Sequence, residues 1–155
     1  MPARLAAALL AAGHTDVSVL DISAAALELA MERLGPDAGR ITWLVADLLG
    51  WTPERRYGIW HDRAVLHFFT ADAQRAEYAA RTRACLGTGG HAVIATFALD
   101  GPTTCSGLPV RRSSADDVLA LLGAGFRAIG THVEHHRTPG GRTQPFTWVV
   151  ARREA

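Results

Sequence analysis

The stretch Asp16-Val17-Ser18-Val19-Leu20-Asp21-Ile22-Ser23 decides the fold of this chain. Its β-branched and aliphatic residues predict a short buried strand over 17–21, with Asp21 at the strand end. Ser23 is a favoured N-cap, and apolar residues then recur at helical spacing over 23–34. A carboxylate at the C-terminal tip of a parallel strand lies where open α/β sheets bind ligands, and it can accept hydrogen bonds from a ribose diol. The stretch therefore predicts a site for a nucleoside cofactor.

Composition predicts one globular domain over 1–155, because the chain is 48% hydrophobic and 20% charged. With 16 Lys+Arg against 15 Asp+Glu, the chain lacks the basic surface of a nucleic-acid-binding protein. No apolar run approaches the roughly 20 residues of a membrane span. The run over 5–12 resembles a signal peptide but is interpreted as a helix that ends at Gly13. Two cysteines in a Cys-poor chain are typical of an intracellular protein, so we expect a cytoplasmic location and neither a nucleic-acid nor a membrane partner.

The rest of the chain alternates between helical and strand patterns. Helices are predicted over 3–12, 71–86 (capped by Thr70, with Ala76, Ala79, Ala80 and Leu86 inward) and 115–122 (capped by Ser114), and strands over 41–45, 57–60, 91–97, 126–134 and 143–151. This order predicts an α/β fold: a Rossmann-like, mostly parallel sheet with helices on both faces and a C-terminal antiparallel strand pair. Three strands end in or beside Asp at one rim of that sheet. The long loop over 98–113 is of a length that is often functional.

The motifs, in their order and spacing, resemble the class I S-adenosylmethionine-dependent methyltransferases. Leu86-Gly87-Thr88-Gly89-Gly90-His91-Ala92-Val93-Ile94 is similar to the family's helix-to-strand turn, in which Gly-Gly precedes the fifth strand. Asp21 and Asp47-Leu48 match the positions after the second and third strands. Tyr57-Gly58-Ile59-Trp60-His61-Asp62-Arg63 resembles the fourth-strand motif, and its Asp-Arg form resembles the thiopurine-methyltransferase-like branch.

The resemblance implies S-adenosyl-L-methionine as cofactor and methyl transfer to a small-molecule acceptor. It places Asp21 on the ribose hydroxyls, Ile22 beside them in the cofactor site, and Asp47 with Leu48 around the adenine. From the residues alone, Asp21 can also be read as a solvated strand end.

The same resemblance assigns the segment after the fourth-strand motif to the reacting end of the cofactor. His61, Asp62 and Arg63 then line the methionine moiety, and His67 faces the acceptor as a base or a hydrogen-bond donor. The residues leave alternatives open. Asp62 and Arg63 can form a surface ion pair of little value, and His67, beside two phenylalanines, can be a packed and satisfied core residue.

One departure from the family pattern concerns the N-terminal end. The family begins with a central first strand and a D-x-G-x-G turn, where glycine lets the backbone approach the cofactor. No such segment is found here. The expectation is therefore an N-terminally truncated chain that lacks the first central strand.

The sequence leaves two other functions open beside methyl transfer. A non-catalytic remnant or fragment of a nucleotide-binding domain is one alternative. An NAD-dependent oxidoreductase is another, since an acid after the second strand also suits an NAD ribose, although the chain has neither a Tyr-x-x-x-Lys pair nor G-x-G-x-x-G. A metal site at His132, Glu134 and His136 is disfavoured, because no second ligand cluster supports it. Acceptor contacts are expected in 98–113 and 135–146.

Overall fold

The computed structural model describes residues 2–155. The chain forms two compact units, one up to Trp51 and the other from Thr52 onward. The single domain over 1–155 stays a prediction.

The first unit contains two helices and a parallel pair of strands. Its elements are α1 (Pro2–Ala11), β1 (Val17–Asp21), α2 (Ala24–Leu34), a 3₁₀ turn (Gly35–Arg40) and β2 (Ile41–Val45). β1 pairs with β2 in parallel, from Val17 opposite Ile41 to Asp21 opposite Val45. The strands predicted over 17–21 and 41–45 are thereby confirmed.

Apolar burial and end capping hold the first unit together. Ala6 and Leu10 of α1 pack with Val17 and Ile41 of the two strands, which removes one helix face and the start of both strands from water. The Ser23 hydroxyl accepts a hydrogen bond from the Ala26 N–H at 3.2 Å, as expected of an N-cap.

The second unit is built on a mixed four-stranded sheet. Its elements are β3 (Tyr57–Arg63), a 3₁₀ turn (Leu66–Phe68), α3 (Asp72–Cys85), β4 (Leu86–Phe97), β5 (Thr104–Cys105), β6 (Leu108–Pro109), α4 (Ala115–Leu122), β7 (Phe126–Arg137) and β8 (Thr143–Arg153). The sheet order is β3-β4-β8-β7, and β5 pairs with β6 in a separate small hairpin. β3 is parallel to β4, whereas β8 is antiparallel to both β4 and β7. The predicted C-terminal antiparallel pair is confirmed, and β8 also joins that pair to the parallel strands.

Two helices and a loop cover the sheet of the second unit. α3 contacts β3 and β4, and α4 contacts β7 and β8, and these contacts bury Tyr78, Ile94, Val118, Leu122 and Val149 completely. A second cluster contains Ala95, Phe97 and Phe146, against which Cys105 and Val110 of the loop pack. The loop over 98–113 is therefore attached to the sheet rather than free of it.

Two sequence predictions for α3 are wrong. The N-cap is Ala71 rather than Thr70, and Gln74 closes the helix start by accepting the Ala71 N–H at 3.2 Å. Ala76 and Ala80 are exposed, while the buried face consists of Arg75, Tyr78, Ala79, Thr82 and Cys85. Polar side chains lie inward here with internal partners: Arg75 donates to the Ser113 hydroxyl through one guanidinium nitrogen, and the Thr82 hydroxyl donates to the Tyr78 carbonyl.

Two strands are longer than predicted. β3 extends to Arg63, so His61 and Asp62 lie within the strand rather than after it. β4 begins at Leu86, so the predicted turn over 87–90 lies within the strand. The strand pairing is irregular there: Tyr57 of β3 lies opposite Leu86, but Ile59 lies opposite His91. A Cβ at Gly90 would lie 2.9 Å from the Gly87 carbonyl oxygen, so the close approach of the backbone requires glycine there.

Two further findings concern the cysteines and the length of the helices. Cys85 and Cys105 are both free thiols. Among residues 2–155, no helix combines the length and apolar character that a membrane span requires. The cytoplasmic location stays a prediction.

Candidate functional site

Two carboxylates lie at one edge of the first unit. Asp21 ends β1, and Asp47 follows the end of its parallel neighbour β2. One Asp21 oxygen accepts the Ser23 N–H at 2.9 Å, and one Asp47 oxygen accepts the Leu49 N–H at 3.1 Å. The Ala46 N–H donates to the Asp21 carbonyl at 3.1 Å, which keeps the two strand ends together. The structure thus brings the two predicted acids to the same rim.

Apolar side chains stand beside both acids. Ile22, directly after Asp21, is 72% exposed, and Leu48, directly after Asp47, is half-buried. An exposed isoleucine next to a hydrogen-bonding carboxylate offers both parts of a nucleoside contact, an apolar surface and an acceptor.

The second unit contributes a cationic and aromatic surface at the end of β3. Arg63 is exposed, and its guanidinium lies 5.1 Å from the centre of the Phe146 ring. The His61 ring lies 6.1 Å from Trp148. Partial desolvation lowers the pKa of His61, and the charge of Arg63 lowers it further. His61 is therefore mainly neutral at neutral pH.

Asp62 points away from these two neighbours, since successive side chains of a strand alternate between faces. It is 5% exposed and accepts hydrogen bonds from the Val65 N–H at 3.0 Å, the Leu66 N–H at 3.1 Å and the Tyr78 hydroxyl at 2.7 Å. Burial raises the pKa of Asp62 to about 6, against the effect of these three donors. The alternative of a surface ion pair between Asp62 and Arg63 is wrong.

His67 lies in the core of the second unit. It is 0% exposed, and its ring is stacked 4.3 Å from Phe97 and lies edge-on at 4.5 Å from Phe68. Desolvation lowers its pKa to about 4, so the imidazole is neutral. Neither ring nitrogen has a hydrogen-bond partner within residues 2–155. The alternative that His67 is a packed core residue is right. The part of that alternative in which its ring nitrogens have hydrogen-bond partners is wrong.

Sequence reasoning missed two residues on α3. Tyr78 holds Asp62 and accepts the Trp60 indole N–H at 3.3 Å, and Arg75 donates to the Ser113 hydroxyl at 2.9 Å. The signal was the helical spacing of 75, 78, 79 and 82. The predicted inward face contained only apolar residues, whereas the buried face also carries Arg75 and the Tyr78 hydroxyl.

The loop over 98–113 connects to the same region. The Arg111 N–H donates to the His67 carbonyl at 2.8 Å. A groove of about 510 Å³ is lined by Leu99 and Asp100 of the loop, by the start of α4 and by residues 131–133 of β7. The groove includes residues 98–100 of the loop in which acceptor contacts were expected, whereas its β7 residues lie outside the expected range 135–146. The acceptor contacts stay a prediction.

The histidines of β7 make other contacts. Glu134 accepts the Trp148 indole N–H at 2.7 Å, and His136 Nδ1 lies 3.7 Å from its other oxygen. In the part of the chain that the structure describes, no group of three or more His, Cys, Asp or Glu side chains is placed to hold a metal ion.

Comparisons with known proteins identify the fold. No family model matches the chain, and no curated protein sequence matches it. Among solved structures, 1,6-didemethyltoxoflavin-N1-methyltransferase of Burkholderia thailandensis, with 1,6-didemethyltoxoflavin and S-adenosylhomocysteine bound, is similar at a TM-score of 0.71 and 24% identity. That match covers 96% of this chain and 65% of the other.

Two further methyltransferases show the same likeness. The N-methyltransferase NodS of Bradyrhizobium japonicum matches at a TM-score of 0.70 and 17% identity, over 89% of this chain and 73% of its own. The glycopeptide N-methyltransferase MtfA, in complex with S-adenosylhomocysteine, matches at 0.68 and 18%, over 94% and 76%. The predicted Rossmann-like α/β class is confirmed, in the form of a methyltransferase-like fold with a mixed sheet.

Proposed function

We propose that this chain binds S-adenosyl-L-methionine and transfers its methyl group to a small-molecule acceptor. One observation carries the proposal: Asp21 ends a parallel strand at the rim of a methyltransferase-like fold. Several structures that share this fold hold S-adenosylhomocysteine, which supports the choice of cofactor. The consecutive residues Asp62 and Arg63 at the end of β3 support the thiopurine-methyltransferase-like branch within this class.

The side chains at the rim of the first unit fit the nucleoside part of this cofactor. Asp21 accepts hydrogen bonds from the ribose hydroxyls, since a carboxylate can bind both hydroxyls of a diol. The exposed side chain of Ile22 and the half-buried Leu48 provide apolar contacts for the adenine. Asp47 accepts a hydrogen bond from the adenine amino group.

The second unit holds the residues that the family resemblance assigns to the methionine moiety. The exposed Arg63 guanidinium is suited to a carboxylate such as that of the methionine moiety, and His61 lies beside it on the same face of β3. Asp62 is assigned an indirect role, because its carboxylate already accepts three internal hydrogen bonds.

The cofactor supplies an electrophilic methyl group on a sulfonium, and the protein has to orient the nucleophile and exclude water. A thiol or amine acceptor needs only a weak base for its proton. We propose that a ring nitrogen of His67, unpartnered in residues 2–155, makes a hydrogen bond to the acceptor. Because the side chain is 0% exposed, this role requires the segment around His67 to open.

The test is calorimetric titration with S-adenosylhomocysteine. Asp21→Ala removes charge-assisted hydrogen bonds and should weaken binding by about 1.5–3 kcal/mol. Asp37→Ala is the matched control, since Asp37 pairs with Arg40 in the same unit and has no assigned cofactor contact. Equal affinities for the two variants would exclude Asp21 from the ribose site.

A second candidate function rests on a separate observation. In residues 2–155, β1 pairs with β2 alone and β3 with β4 alone, so each has one edge without a neighbouring strand. Such edges leave backbone N–H and C=O groups without strand partners, and we take this feature to favour a nucleotide-binding module without catalysis. Cofactor binding without methyl transfer to any tested thiol or amine would favour this candidate.

A further inference from the structure

We propose that Tyr78 is a positioning residue. It acts through Asp62 and holds in place the segment 62–67, which comprises the end of β3 and the turn that follows it. This segment contains Arg63 and His67, to which the proposed function assigns roles. The inference therefore rests on the proposed function and extends it to a residue of α3. Tyr78 belongs to none of the motifs that suggested that function.

The Tyr78 hydroxyl makes a complete set of hydrogen bonds in the core. Tyr78 is 0% exposed, and its hydroxyl donates to Asp62 at 2.7 Å and accepts the Trp60 indole N–H at 3.3 Å. A phenylalanine would fill the same volume but leave one buried carboxylate oxygen without this donor, which makes the hydroxyl rather than the ring the distinguishing group.

Asp62 uses the rest of its carboxylate to close a turn. One oxygen accepts the Val65 N–H and the other the Leu66 N–H. The turn passes through Ala64, whose φ is +71°, a left-handed conformation that a residue with a Cβ adopts rarely. Because such a conformation persists only where its surroundings fix it, the Asp62 contacts hold this turn, together with the Ala64 N–H bond to the Ala95 carbonyl at 2.9 Å.

The turn determines where its functional neighbours lie. Arg63 immediately precedes Ala64 and stands over the Phe146 ring. On the other side of the turn, the 3₁₀ turn Leu66–Phe68 carries His67, whose carbonyl accepts the Arg111 N–H. Loss of the Tyr78 hydroxyl therefore loosens the segment from Arg63 to His67 and its link to the loop over 98–113.

The environment of Asp62 gives this proposal a specific signature in pH. Tyr78, from α3, is the one titratable side chain hydrogen-bonded to the Asp62 carboxylate in the described residues, and the residue opposite on β4 is Ile94. The next element offers only backbone N–H groups. Since the Tyr78 hydrogen bond lowers the pKa of Asp62, its removal should raise that pKa above about 6.

The experiment compares Tyr78→Phe with Tyr57→Phe, which deletes a hydroxyl at the opposite end of β3. In Tyr78→Phe, amide exchange at Val65 and Leu66 should accelerate about tenfold, and the pH midpoint of their NMR shifts should move upward. S-adenosylhomocysteine should bind several-fold more weakly. Tyr57→Phe should leave all three measurements at their wild-type values.

A double-mutant cycle with Asp62→Asn separates positioning from general loss of packing. Because an asparagine oxygen could still accept the Tyr78 hydroxyl, the cycle also includes Asp62→Ala, which removes the acceptor. In the Asp62→Ala background, adding Tyr78→Phe should have no further effect on amide exchange, because the hydroxyl acts through that carboxylate. Additive effects would overturn the proposal, as would unchanged exchange and an unchanged midpoint in Tyr78→Phe. If the wild type does not bind S-adenosylhomocysteine, the proposed function fails, while exchange and midpoint still decide the role of Tyr78.

Discussion

Asp62 and His67 should make opposite contributions to the pH dependence of the free energy of unfolding. Replacing one of them should make the contribution of the other measurable. His67 has its pKa lowered from 6.5 to about 4 by burial. Between these values the unfolded chain holds a proton on His67 that the folded chain does not. His67 therefore makes stability rise with pH over this window, by about 3 kcal/mol at 1.36 kcal/mol per pH unit.

Asp62 acts in the opposite direction. Burial raises its pKa from 3.8 to about 6, so between these values the folded chain holds the proton and the unfolded chain does not. The stability contribution of Asp62 therefore falls by about 3 kcal/mol as pH rises from about 4 to 6. In the wild type the two contributions nearly cancel.

The perturbation is His67→Phe, which keeps an aromatic ring against Phe97 and removes the titration. Its free energy of unfolding, from urea titrations at pH 4 to 7, should fall relative to wild type by about 3 kcal/mol between pH 4 and 6.5. Asp62→Asn should show the reverse slope. The remaining groups titrate alike in all three proteins, so the differences isolate the two residues. Parallel pH profiles for the three proteins would refute the reasoning.

Two further changes test the fold. Ser23→Ala should lower the free energy of unfolding by about 1 kcal/mol in urea titrations, because its hydroxyl accepts the Ala26 N–H at the start of α2; an unchanged midpoint would exclude the cap. Gly90→Ala should cost about 1–3 kcal/mol by the same method, since a Cβ would lie 2.9 Å from the Gly87 carbonyl oxygen and 3.0 Å from that of Gly58. Gly58→Ala is its control, because nothing lies within 4 Å of a Cβ there, and equal stability of the two glycine variants would contradict the assignment.

The local signals in the sequence predicted the elements of the first unit well. The strand over 17–21 has the predicted bounds, and Ser23 caps α2 as expected. Ser114 likewise caps α4, which begins at Ala115 as predicted. These features depend on neighbours within about four residues, so the sequence pattern contains the information that they need.

The features that the sequence did not predict depend on distant partners. The burial of Asp62 follows from a hydroxyl on α3, sixteen residues away, and the inward position of Arg75 from Ser113 in the loop. A residue-by-residue reading assigns Asp62 and Arg75 to the surface, because charged side chains are rarely buried without partners. The ribose contact of Asp21 follows from its place at a strand end as well as from the family resemblance, whereas the roles of Ile22, Asp47 and Leu48 came from the resemblance alone. All four roles stay predictions.

Calorimetric titration of the folded wild-type chain with S-adenosylhomocysteine tests the central claim most directly, with NADH titrated in parallel. We expect saturable binding of S-adenosylhomocysteine with one site per chain and no heat of binding from NADH. A chain that is folded by circular dichroism yet gives no heat with S-adenosylhomocysteine would contradict the proposed function, and saturable binding of NADH alone would favour the oxidoreductase alternative.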